Sequence, residues 1–292
     1  MRAYVPDYDV VTPGSLAEAL ELMASKPEFY RPLAGGTDLM VVFHGGNQPY
    51  KNFLSLHKID ELRGIEVRDD EVEIRALATY TDVRYHPVLR EEFPMLCQAS
   101  AESGAGAIQN RGTIGGNIGN GSPAADTPPA LAAYRAEIDL VSKEGVRTVA
   151  FRDFQTGYKQ MDLKPEELIQ AVRLKRQPGR LHHYRKVGTR KAQAISKVCF
   201  AGTALVKDGK LQEVGVTFGS VAPAVACCEP LEKRLLGLSL AEAIALSSEE
   251  IRDLTGQSIA PIDDIRSTGE FRLKVAKNLA VDFVKNLENL NV

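Results

Sequence analysis

The residues of this chain best placed to do chemistry are the ones with the least side chain. Residues 112–126 read GTIGGNIGNGSPAAD, with five glycines in the first ten positions, and residues 32–39 read PLAGGTDL. Glycine lacks a Cβ and tolerates positive φ, so consecutive glycines let several backbone N–H groups converge on an anion at close range. A pyrophosphate is the ligand such loops suit. Either loop alone is equally well a tight turn between strands, and the presence of both shifts the balance towards binding.

Common nucleotide fingerprints do not fit. A phosphate-binding G-x-x-x-x-G-K-[ST] loop fails because Gly209-Lys210 is followed by Leu211. The dinucleotide pattern G-x-G-x-x-G begins at Gly104/Gly106 and Gly119/Gly121 but is broken by Gln109 and Ala124. No G-x-S-x-G elbow exists, since Asn120 precedes Gly121-Ser122-Pro123. Cys97, Cys199, Cys227 and Cys228 lack iron–sulfur or zinc spacing and read as buried or inert thiols. The five histidines include no H-E-x-x-H, and His182-His183 reads as two faces of one strand. No metal is expected on this chain, and a dinucleotide would be held by another fold.

Length and composition limit the rest. At 292 residues and 44% hydrophobic composition the chain can bury a large core, and two domains are expected. With 36 basic and 38 acidic side chains the net charge is −2, which argues against a nucleic-acid or polyanion binder. MRAYVPDYDVVTPG lacks a signal-peptide core, and no stretch approaches the roughly 18 apolar residues of a membrane span. The expected location is the cytoplasm.

The elements that must position the two loops follow from periodicity. Ser15-Leu16-Ala17-Glu18 reads as a capping box opening a helix to about Ser25, with Leu16, Ala19, Leu20 and Met23 on one face. FYRPLAGGTDLMVVF predicts a short strand, a turn at Gly35-Gly36 and a helical turn from near Asp38. NFLSLHKI predicts a strand, and Ile65, Val67, Val72 and Ile74 predict a hairpin around Asp69-Asp70. Thr81 is expected to cap a helix, and another should follow Pro94 into the second glycine stretch. Beyond it come a helix containing PALAAY, strands EIDLVS and VRTVAF about Lys143-Glu144-Gly145, and a strand in EELIQAVRL. The basic KRQPGR, residues 175–180, predicts the domain boundary. Residues 195–221 then predict two long strands about Asp208-Gly209, and the box Ser239-Leu240-Ala241-Glu242 a helix to about Leu254. Phe271, Val275, Leu279, Phe283 and Leu287 predict the buried stripe of a last helix.

LAGGTDL, then QNRGTIGGNIGN…PAAD, PEELI and YRKVGTRKAQAISK, in this order and spacing, resemble the FAD-binding medium subunit of the molybdenum hydroxylases, the xanthine dehydrogenase and carbon monoxide dehydrogenase family. The resemblance spans the whole chain. It implies an α+β, PCMH-type FAD-binding fold in residues 1–176, with subdomains of about 1–57 and 58–176, and a smaller α+β domain of antiparallel strands plus helices in residues 177–292. Carried onto this sequence, Pro32, Leu33, Ala34, Gly35, Gly36, Thr37, Asp38 and Leu39 would line the pyrophosphate, and Thr113, Ile114, Gly115, Gly116 and Asn117 would form a second cradle. Asp126 matches an acidic position near the cofactor and could also cap the helix that follows. Ile169 matches a residue whose backbone meets the flavin ring, Lys186 a lysine on the ring's far side, and Ile195 an aliphatic wall. Such a wall suits a flat apolar ring with a polar edge, and a nearby cation favours the reduced flavin.

Two departures lie near the side where an electron acceptor would dock. Ala194-Ile195-Ser196 stands where much of the family writes Asp-Ile-Ala, and Ser103 stands where some relatives place an aromatic residue. The family further implies a molybdopterin-binding large subunit and a small subunit with [2Fe-2S] clusters, the latter passing electrons singly to FAD for delivery to NAD+, a quinone or oxygen. No catalytic acid or base is required of this chain. Purine, other N-heterocycle, aldehyde and carbon monoxide substrates stay open, because another subunit would select among them. Two other readings are a self-contained NADPH-dependent reductase of the UDP-N-acetylenolpyruvoylglucosamine reductase type and a scaffold subunit that has lost the flavin.

Overall fold

The computed structural model describes residues 7–46 and 49–290. The expectation that no leader opens the chain falls partly on residues 1–6, outside the described residues. No helix among the described residues is long and apolar enough to cross a membrane.

Among the described residues four sheets carry the fold. The first is a small parallel sheet ordered Asp9–Val11, Asn52–Ser55, Arg31–Leu33. The helix Leu16–Ser25 covers it, burying Ala19, Leu20 and Met23 as its spacing predicts. Ser15 Oγ accepts the Glu18 N–H at 3.2 Å, but the Glu18 carboxylate reaches past Ser15 to the Gly14 N–H at 2.7 Å, so the expected box is shifted by one residue.

The second sheet is antiparallel, ordered Ile65–Val67, Glu71–Arg75, Leu168–Lys175, Glu137–Ser142, Gly145–Ala150. The predicted hairpin pairs Ile65 with Ile74 and Val67 with Val72. Helices Pro94–Glu102 and Thr127–Ala133 pack with this sheet in the largest core. Thr81 does not cap the helix Tyr80–Tyr85: Thr79 does, its Oγ1 accepting the Asp82 N–H at 3.1 Å while Asp82 accepts the Thr79 N–H at 2.8 Å. A two-stranded hairpin, Gln155–Gly157 with Gln160–Met161, lies beside this sheet.

The third large element is the antiparallel meander Arg180–Val187, Val198–Lys207, Lys210–Gly219, Ala226–Cys227. Its turn at Asp208-Gly209 has φ of 51° and 72°, the left-handed pair that a tight hairpin needs. Each face of this meander belongs to a different core. Tyr184, Cys199 and Ala201 join the core of the second sheet, whereas Leu181, Val198 and Phe200 face the C-terminal helices. The vicinal histidines divide the same way: His182 meets Tyr134 on one face, and His183 lies edge-on to Phe200 on the other.

Two C-terminal expectations are corrected. The Ser239 capping box forms, but its helix is only Leu240–Ala245, because Ser247 opens a separate helix, Ser248–Gly256, by accepting the Glu250 N–H. In the last helix, Gly269–Lys285, the buried side chains are Arg272, Ala276, Ala280, Phe283 and Val284, while Phe271 is 42% exposed. Phe283 and Leu287 are buried as the stripe predicts and Val275 and Leu279 pack against the same core, but at the start of the helix Arg272 takes the inward place of Phe271, donating to the carbonyls of Lys197 and Ser220 at 2.8 and 2.9 Å and to Asp264 at 2.7 Å.

Candidate functional site

The two glycine stretches meet. A Cβ on Gly35 would sit 1.9 Å from the Arg111 carbonyl oxygen, and one on Gly116 would lie 3.5 Å from the Ala34 Cβ. Bare backbone at Gly35 lets the two loops interlock, whereas at Gly116 it leaves room for the Thr113 hydroxyl, 2.8 Å from where a Cβ would be. Gly36, at φ 73°, makes the turn that starts the short helix Leu39–His44. Gly115 is equally committed, its missing Cβ leaving room for Ala76 at 2.6 Å.

Together the loops wall a cavity of about 1090 Å³. Its lining includes Pro32, Ala34 to Leu39, Ser103, Thr113, Gly115, Gly116, Asn117, Asp126, Ile169 and Ile195. Three expected residues stand elsewhere. Leu33 faces a smaller neighbouring cavity, Ile114 is fully buried in the core, and Lys186 stands behind Asp126 rather than on the wall.

Hydrogen-bond accounting separates the roles of the loops. Among the described residues, none of the backbone N–H groups from Ala34 to Leu39 donates to a protein acceptor. A run of unpaired donors on a cavity wall is suited to an anion. The second stretch leaves no such run, because four of the five N–H groups from Thr113 to Asn117 are engaged within the protein. The Ile114 and Gly115 N–H groups go to the carbonyls of Ala78 and Ala76, Gly116 to Thr113 Oγ1, and Asn117 to the Thr113 carbonyl. The second loop instead presents Thr113, Gly115, Gly116 and Asn117 to the cavity.

Asp126 is a largely covered charge on the cavity wall, its side chain 12% exposed. It does not cap the following helix with its side chain. Its Oδ2 accepts Lys186 Nζ at 2.7 Å and lies 3.3 Å from Ser103 Oγ, and its Oδ1 accepts Ser196 Oγ at 2.8 Å. Burial pushes the Asp126 carboxyl above its ordinary value, and Lys186, Ser196 and Ser103 pull against that shift. Strand alternation puts Lys186 on the same face as Tyr184, whose hydroxyl donates to the Asp126 carbonyl at 3.2 Å.

The apolar walls differ in character. Ile169 is buried beside a bulge in its strand, and Ile195 is 56% exposed at the cavity mouth. Several lining residues escaped the sequence reading. Tyr80 closes the floor, its ring fitting where Gly112 has no side chain, and burial raises its hydroxyl pKa. The loop from Tyr158 to Leu163 contributes another wall, and Arg266 reaches the rim from the C-terminal domain. Among the described residues no group of three metal-ligating side chains exists. Burial raises all four thiol pKa values, Cys97 to about 12 and Cys227 to about 11, as inert cysteines require.

Known proteins fit this architecture along its length. The family "FAD binding domain in molybdopterin dehydrogenase" matches residues 6–175, and "CO dehydrogenase flavoprotein C-terminal domain" matches residues 182–287. The chain is 31% identical over 274 residues to the xanthine dehydrogenase FAD-binding subunit of Escherichia coli O157:H7, covering 91% of this chain and 90% of that one. It is 29% identical over 270 residues to the carbon monoxide dehydrogenase medium chain of Afipia carboxidovorans, covering 92% of each. The solved structure of reconstituted CO dehydrogenase from Oligotropha carboxidovorans superposes with a TM-score of 0.89 at 27% identity, over 96% of both chains. This chain therefore belongs to the FAD-binding subunits of the molybdenum hydroxylases, the flavoprotein components of xanthine and carbon monoxide dehydrogenase-type oxidoreductases.

Proposed function

We propose that the cavity holds one FAD, with its diphosphate against Ala34 to Leu39 and its ring near Ser103, Ile169 and Ile195, and that the chain relays electrons within a larger complex. The unpaired N–H run from Ala34 to Leu39 carries this reading. Those donors need an anion, and their wall adjoins the bare surface of Gly116. Bound there, FAD would supply redox chemistry in both one-electron and two-electron steps.

The chain's own residues bind and orient. Ala34 to Leu39 fix the diphosphate, Ile169 and Ile195 enclose an apolar ring, and the neutral Asp126–Lys186 pair sets the local field. No proton donor is asked of them. Electrons would arrive singly from a small subunit carrying [2Fe-2S] clusters, after a molybdopterin-binding large subunit oxidises the substrate. They would leave in pairs to NAD+ or another acceptor at the mouth beside Ile195. A heterotrimer doubled by symmetry accommodates these partners, with the work done in the cytoplasm.

Purification of the full chain with and without its partners tests the reading. The expected preparation is yellow, releases FAD on denaturation, and carries molybdenum and iron only when the partners are present. A colourless chain that takes up no added FAD overturns the cofactor assignment. A flavin-loaded chain that completes turnover of an organic substrate with NADPH, without partners, overturns the relay role.

A further inference from the structure

We propose that Ser196 is a positioning residue for the cofactor, its hydroxyl holding the Asp126 carboxylate as the anion that balances Lys186 behind the cavity wall. The inference rests on the FAD reading above and concerns the position where this chain departs from the Asp-Ile-Ala pattern. Ser196 is 1% exposed, and its Oγ lies 2.8 Å from Asp126 Oδ1. That proton has no other acceptor among the described residues, whereas the Ser103 hydroxyl has a nearer one in the Ala99 carbonyl, at 2.8 Å against 3.3 Å to Asp126. A hydroxyl donates one proton, so Oδ1 depends on Ser196 alone. The serine is itself anchored, its carbonyl accepting Ser220 Oγ at 3.0 Å while Arg272 holds the next carbonyl, that of Lys197, at 2.8 Å. A link thus runs from the last helix, through the 196–197 backbone, to a carboxylate on the cavity wall.

The consequence is electrostatic. Without the serine hydroxyl, Oδ1 loses its donor and the carboxyl holds its proton to a higher pH. Once Asp126 is neutral, Lys186 stands uncompensated behind the wall and favours reduced flavin. The other titratable groups around Asp126 are Tyr184 on the strand with Lys186, Cys199 on the next strand, Tyr80, Asp38 and Glu102. Burial pushes the tyrosines and the cysteine upward, away from the acid range in which the Asp126 carboxyl is followed.

Ser196→Ala and Ser196→Thr in the full chain test the proposal. The titration of the Asp126 carboxyl, followed by infrared difference or carbon-13 aspartate signals in flavin-free protein, is expected to move up by about one pH unit in Ser196→Ala and to return in Ser196→Thr. In flavin-loaded protein, at pH values between the two midpoints, Ser196→Ala should hold on the order of tenfold more reduced flavin at the same ambient potential, with no difference at high pH. An unmoved carboxyl titration in Ser196→Ala, or a folded Ser196→Thr that behaves like alanine, overturns the hydroxyl's role. A moved titration with an unchanged flavin potential overturns the link to the cofactor. A wild-type chain that takes no FAD counts against the functional reading instead, while the flavin-free titration still decides whether Ser196 holds Asp126.

Discussion

The Asp126 carboxylate and the Lys186 ammonium lie 2.7 Å apart, their side chains 12% and 6% exposed. One follows the second glycine stretch and the other stands on the first strand of the C-terminal meander, so the pair ties the two halves of the molecule at the cavity wall. Removing one partner of such a pair leaves a charge buried without compensation.

Lys186→Met should therefore destabilise the fold by about 3 kcal/mol at pH 7. Burial already raises the Asp126 carboxyl, and loss of the ammonium raises it further. A carboxyl raised on folding contributes most below its unfolded value of about 3.9 and loses that contribution as pH rises through the folded value. The deficit in urea melts should shrink as the pH is lowered towards 4; a constant deficit from pH 4 to 8 would contradict the assignment.

His182 makes the opposite case. Burial, with the nearby Arg180, depresses its pKa to about 4, and its Nδ1 lies 3.0 Å from the Tyr134 hydroxyl. A histidine held neutral contributes stability above its unfolded value of about 6.5 and loses it as pH falls towards the folded value. His182→Gln should flatten the stability profile between these pH values, where the wild type loses about 2 kcal/mol.

Interlocking of the loops is tested at Gly35. Gly35→Ala forces a methyl against the Arg111 carbonyl, so flavin content should fall at least tenfold on the order of magnitude expected for a displaced phosphate loop. Gly106→Ala, in open space and without positive φ, is the control and should retain flavin. Equal flavin content in the two variants would show that the loops need not dock.

A second clamp between the domains is centred on Glu232, which is buried and accepts both Arg152 terminal nitrogens at 2.8 Å and the Val216 N–H at 2.7 Å. Glu232→Gln should cost about 2–4 kcal/mol in chemical denaturation, because one buried guanidinium loses its counter-charge. Flavin spectra of the folded variant should be unchanged, since Glu232 does not line the cavity.

Much of this organisation was legible before any coordinates, wherever local chemistry and burial agree. The hairpin of Ile65, Val67, Val72 and Ile74, the turn at Asp208-Gly209 and the helix Leu16–Ser25 all satisfy one periodicity and one turn rule. Errors came where a local signal had a competitor. Thr79 and Thr81 could each cap, and Thr79 prevails because Asp82 stands three residues on; Thr81 instead bonds Asn110. Ser247 interrupts the helix predicted from Ser239 for the same reason. Arg272 displaces Phe271 from the start of the last helix's stripe because hydropathy places arginine outside, while buried carbonyls and Asp264 draw it in.

At the site, the glycines marked the loops but not the division of labour between them. That Gly35 accommodates Arg111, and that the N–H groups of Ile114 to Asn117 are already engaged, depend on partners distant in sequence. The contribution of Tyr80 was hidden likewise, since its place depends on Gly112, 32 residues later.

The two-sided character of the strand Arg180–Val187 imposes a constraint on length. Inserting or deleting one residue between Leu181 and Lys186 would swing the ammonium to the opposite side of the ribbon, among the C-terminal helices, and leave Asp126 without its counter-ion. Such a variant could re-form every ladder bond and still lose the cofactor's electrostatic setting, so the tolerance of this segment to indels is dictated by charge placement before it is dictated by folding.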